Sequence, residues 1–174
     1  MKYSPTYFLF DASRAGGDNL LKAKELNVSF ISLYTGRPEN DLETVVPYLF
    51  SFSFNDYFSD FIDKEGWGNA WGLWVKADIA LEKMQEHFAK FLIIKNEDEE
   101  LYFRFYDPRV LRIFLPTCEK NQIVEFFGPV EYFIVEGDSR EEAIIFSHTN
   151  GILHQQNVPA GQVRNNKITP MVGS

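Results

Sequence analysis

Leu101–Cys118 reads LYFRFYDPRVLRIFLPTC and changes its hydrophobic period midway. LYFRFY alternates, which sends Leu101, Phe103 and Phe105 to one side of a strand and Tyr102, Arg104 and Tyr106 to the other. Asp107 stands where an N-cap belongs. Pro108 takes the first helical position, where its missing N–H costs nothing. Val110, Leu111, Phe114 and Leu115 recur at helical spacing, with Arg109 and Arg112 beside them, and Pro116 ends the helix. A second helical stretch, EKNQIVEFF, stops at Gly128 with Pro129 next. One strand running straight into two helices argues for a mixed chain, neither all-helical nor all-strand.

Outward from this corner the same two periods alternate. YFLF (Tyr7–Phe10), VSFISLY (Val28–Tyr34), PYLFSFS (Pro47–Ser53) and WGLWVKA (Trp71–Ala77) read as strands, as do FLIIK, VEYFIVEG and EEAIIFSH. Helices are expected over Asn19–Leu26, capped by Asp18, and over DYFSDFIDKEG, opened by Asn55 or Asp56 and closed by Gly66. The clearest helix follows Asp78, read as its cap, with Leu81, Met84, Phe88 and Phe91 on one face. The element order implies an α/β fold of mixed α+β type. It is read as a single domain with a mixed, partly antiparallel sheet flanked by helices. The folded part is expected over 1–148. Residues 149–174 carry no acidic side chain and are rich in amides, and read as a polar, weakly basic, extended C-terminal tail.

Composition narrows the function. The chain has 174 residues, enough for one core-bearing domain, and a net charge of −8. That charge argues against nucleic acid, which needs clustered Lys and Arg. A single cysteine, Cys118, leaves no internal disulfide and fits a reducing cytoplasm. No apolar run approaches the roughly 20 residues that span a bilayer, so membrane insertion is not expected. Aromatics reach 16%, with 17 Phe, a surplus that leaves rings available for a binding surface.

The candidate residues are of two kinds. Arg104 between Tyr102 and Tyr106, followed by Arg109 and Arg112, offers guanidinium groups that stack on rings and fork onto carboxylates. An internal pair of Arg104 with Asp107 or another nearby acid is the competing reading. GWGNAWGLW places Trp67 and Trp71 among Gly66, Gly68 and Gly72, a pattern of interface anchors or of a core corner. Asp11 and Asp107 each follow a strand, where α/β enzymes place functional acids. No phosphate-binding glycine loop or nucleophile elbow accompanies them. His87, His148 and His154 lack metal-ligand spacing, and Cys118 reads as an inert thiol, so neither a metal nor a cofactor is expected.

FLFDASR, GWGNAWGLWV, LYFRFYDPRVLRIFLPTC and FFGPVEYFIVE, in that order, resemble the domain of unknown function 4123 (DUF4123) family, the adaptors or effector chaperones of bacterial type VI secretion. The resemblance covers about Thr6 to Glu136. It implies a non-enzymatic cytoplasmic protein of a Gram-negative bacterium that binds a secreted effector protein and assists its loading onto the VgrG-type spike protein. Its motif positions here are Asp11, Trp67, Gly68, Trp71, Gly72, Arg104, Tyr106, Asp107, Pro108, Arg109 and Pro116. Trp67, Trp71, Tyr102, Arg104, Tyr106, Arg109 and Arg112 are the expected partner-binding residues. Asp11, Gly68, Gly72, Asp107, Pro108, Pro116 and Gly128 are the expected scaffold. On this reading alanine at Arg104 weakens effector capture and leaves the melting temperature nearly unchanged. Two alternatives stand beside it: a small hydrolase or nucleotide-handling enzyme using Asp11 and Asp107, and an immunity protein neutralising a toxin.

Overall fold

A computed structural model describes residues 3–34, 43–52 and 57–163. The elements are β1 (Tyr7–Asp11), α1 (Ala12–Ala15), α2 (Gly17–Leu26), β2 (Phe30–Ser32), β3 (Pro47–Ser51), α3 (Tyr57–Phe61), β4 (Gly72–Ala77) and α4 (Leu81–Ala89). They continue as β5 (Ile93–Lys95), β6 (Glu100–Tyr102), α5 (Pro108–Phe114), α6 (Lys120–Phe127), β7 (Val130–Glu136), β8 (Glu142–Thr149) and β9 (Ile152–Pro159). Seven strands form one sheet in the order β2-β3-β1-β4-β7-β8-β9, and β5 with β6 forms a separate hairpin. Every pairing is antiparallel, where the sequence had suggested only a partly antiparallel sheet.

Strand alternation decides the architecture. In β1, Phe8 and Phe10 face one side, where α1, α2 and α3 pack with Phe50, Phe58, Trp74 and Ile134. Tyr7 and Leu9 face the other, where α4, α5 and α6 pack with Leu49, Val75, Phe88, Phe126 and Phe133. A sheet covered on both faces needs two cores, and this absorbs most of the phenylalanine surplus. Phe10, Phe50, Phe58, Phe88, Phe105, Phe126, Phe127, Phe133 and Phe146 are all fully buried. Each contributes about 2–3 kcal/mol of apolar burial.

Local rules placed several elements well. Asp107 caps α5 through its side chain and Pro108 opens the helix. Pro116 falls in the 3-10 turn Leu115–Thr117 that follows. Gly128 ends α6, whose other end carries a capping box between Glu119 and Gln122. Met84 and Phe88 of α4 are buried, with Leu81 and Phe91 packed beside them.

Other expectations need correction. Asp78 does not cap α4: the helix begins at Leu81, so the N-cap is Ala80, which makes no side-chain bond. Asp18 lies within the first turn of α2, whose N-cap is Gly16. β2 is three residues long, not seven, and LYFRFY is regular strand only to Tyr102. DYFSDFIDKEG divides into α3 and a π-helical turn over Ile62–Gly66, while Asn55 and Asp56 lie outside the described residues. Of residues 149–174, read as an extended tail, 152–159 form β9 at the sheet edge, while 164–174 lie outside the described residues.

Candidate binding site

β1 ends on Asp11, whose parity with Tyr7 and Leu9 points it toward the face that carries α4 to α6. Its carboxylate is completely buried. It accepts the backbone N–H of Arg14 at 3.1 Å, which starts α1, and Nη2 of Arg104 at 2.5 Å. Burial, the larger influence, holds the Asp11 carboxyl above its ordinary value of 3.8 against the pull of Arg104 and the Arg14 N–H. Arg104 is opposed by its own desolvation, but Asp11 outweighs it and keeps the guanidinium charged.

Asp107 has a different partner. It accepts Nε and Nη2 of Arg109 at 3.0 and 2.7 Å, together with the backbone N–H of Arg109. Burial raises its carboxyl, yet these bonds prevail and hold it below 3.8. Arg112 donates to the carbonyl of Glu136 at 3.2 Å and pairs with Asp138 at 3.3 Å. Glu136, buried at the end of β7, accepts the backbone N–H groups of Gly68 and Ala70 at 2.7 and 3.0 Å. It pins the loop between Trp67 and Trp71. Glu136 went unnoticed in the sequence because its partners are main-chain groups 66 and 68 residues away.

Beside the Asp11–Arg104 pair lies a cleft of about 290 Å³ with a mainly apolar wall. Tyr102, Arg104 and Tyr106 line it together with Leu92, Pro47 and Tyr34. The sequence alternation grouped the three residues correctly although regular strand ends at Tyr102. Phe103 and Phe105 turn the other way, ring centroids 5.8 Å apart, into the core. Tyr102 is 67% exposed and the Arg104 side chain 41% exposed, so both are open at the surface. Tyr106 is buried and supplies the cleft wall.

The remaining expected anchors lie elsewhere. Arg109 is forked onto its own helix cap, and Arg112 pairs with Asp138 through Nη1 alone. Trp67 and Trp71 are 4% and 7% exposed and belong to the core on the opposite face of the sheet. Trp67 Nε1 donates to the carbonyl of Arg140 at 2.8 Å, and Trp71 packs on Phe10 and Phe61. In this structure the two indoles build a corner. Gly72 follows them because Cβ at that position would stand 1.8 Å from the Leu9 carbonyl oxygen.

Among the described residues, no group of three or more His, Cys, Asp or Glu side chains is placed to hold a metal ion, and no helix is long and apolar enough to cross a membrane. No curated protein and no solved structure matches the chain. The DUF4123 family, described as a domain of unknown function, matches residues 6–125, which run from just before β1 into α6. With well over half of its 174 residues matched, the chain belongs to the DUF4123 family.

Proposed function

We propose that this protein is a non-enzymatic adaptor of type VI secretion: it binds an effector in the cytoplasm and assists its loading onto the VgrG spike. The observation that carries the reading is the cleft, where an exposed tyrosine and a fixed, charged arginine flank an apolar wall. That combination suits capture of a polypeptide segment, because rings supply area at low entropic cost and a guanidinium orients carbonyl or carboxylate groups. Family membership supports the same reading through the resemblance on which it was expected. Asp11 and Asp107, the acids a hydrolase would use, are each engaged by an arginine.

Deletion of the gene in a host with an active type VI system tests the proposal. The deletion strain should fail to deliver one effector while others are still secreted, and tagged protein should co-purify with that effector and with VgrG. A deletion strain that delivers normally but is killed by its neighbours' toxin would instead mark an immunity protein.

A further inference from the structure

We propose that β9 pairs antiparallel with the β9 of a second copy of this chain, about a twofold axis at Gln155, so that two sheets become one. This stands independently of the adaptor reading, and β9 lies outside the residues 6–125 that define the family match.

The backbone register shows which groups turn away from β8. Asn150 and Gly151, at φ 50° and 82°, form the two-residue loop between β8 and β9, the mark of a type I′ hairpin. The flanking pair, Thr149 and Ile152, is therefore a narrow pair that exchanges both hydrogen bonds, and narrow pairs recur at every second residue. The donation from Ala160 N–H to the Glu141 carbonyl at 2.7 Å belongs to the same set at the far end. Ile152, His154, Gln156 and Val158 thus turn their main-chain groups toward β8. Leu153, Gln155 and Asn157 turn theirs outward, where β9 has no neighbouring strand among the described residues.

Such an edge is ordinarily protected by a charge, an internal proline, a bulge or short length. β9 has eight residues, no Asp, Glu, Lys or Arg, an unbroken register with β8, and its one proline at the end, Pro159. The other edge, β2, has only three residues.

The occupant follows from self-complementarity. Pairing about Gln155 sets it opposite its own copy and sets Leu153 opposite Asn157, which brings every outward residue into a narrow pair. A twofold interface also puts any charged residue at its centre against its like, which is destabilising. On a chain of net charge −8, β9 is a stretch free of that conflict. The amides of Gln155 and Asn157, already bonded to each other at 3.1 Å, can re-pair across the axis.

Sedimentation velocity over about 1–100 µM full-length protein tests this, since dimer mass depends on concentration. The mass should rise from 20.2 kDa toward twice that value. Gln155→Lys places two ammonium groups against each other, and Gln155→Pro removes an outward N–H; neither touches a ladder bond to β8. Both should remain monomeric with unchanged circular dichroism and melting temperature, and mixing Gln155→Lys with Gln155→Glu should restore the dimer. A wild type that stays monomeric at the top of the range overturns the proposal, whatever else the edge binds. A dimer that persists in both variants overturns it too.

Discussion

Arg104 reaches Asp11 at 2.5 Å across 93 residues of chain, tying the segment after β6 to the end of β1. One partner is fully buried and the other is 41% exposed. The bond therefore fixes the arginine at the wall of the cleft while leaving one side of it open to solvent. It also changes what Arg104→Ala can report. Removing the arginine leaves a buried carboxylate without its counter-ion, so the variant should lose stability, contrary to the expectation from sequence. The loss should be about 2 kcal/mol, below the cost of orphaning a fully enclosed charge, because removing a guanidinium that is itself 41% exposed opens the carboxylate to the cleft.

The loss should depend on pH with a definite sign. An ionised Asp11 is what makes the orphaned site unfavourable. As pH falls toward and below the carboxyl's ordinary value of 3.8, the group takes up a proton in the variant and the penalty shrinks. Urea denaturation of Arg104→Ala against wild type should show the larger gap at pH 7 and the smaller one in acid. Asp11→Asn in the Arg104→Ala background should recover part of the loss at pH 7.

Gly72→Ala should be among the most damaging single substitutions. Its Cβ would meet the Leu9 carbonyl oxygen at 1.8 Å, and φ of 156° adds strain for any side chain. The obstacle is backbone of β1, inside the sheet, which no rotamer change relieves, so a cost of about 4 kcal/mol or more is expected. Soluble yield and melting temperature measure it.

His87 should make the fold acid-sensitive. Its Nε2 lies 2.8 Å from the Phe126 carbonyl, and burial pushes its pKa below the ordinary 6.5. The unfolded chain therefore binds a proton that the native chain does not, and stability falls as pH drops from about 6.5. His87→Gln should flatten that slope between pH 7 and 5, read by denaturation at each pH.

What was legible in the sequence was local. Asp107 with Pro108, Gly128 and the face of α4 are decided within a few residues, and the structure bears them out. The partner of Arg104 was not legible, because Asp107 is closer in sequence and spends its bonds on Arg109. For the tryptophans the sequence offered both an interface and a core corner, and the second core that the two-sided sheet creates decides for the corner. β9 escaped because an edge strand exposed on both faces shows no apolar alternation. The Asn150-Gly151 pair after FSHT was the available signal of a hairpin, masked by the amide-rich stretch that follows.

The most direct test of the central claim uses Tyr102, which lines the cleft, is 67% exposed and carries no hydrogen bond to the core among the described residues. Tyr102→Ala should keep the wild-type melting temperature within about 1 °C, as surface changes usually do. In isothermal titration against the effector that co-purifies with wild type, it should bind at least about tenfold more weakly, the loss of one aromatic anchor. Unchanged affinity in Tyr102→Ala would contradict the account. So would a purified protein that binds no effector but turns over a small molecule, with that turnover lost in Asp11→Asn.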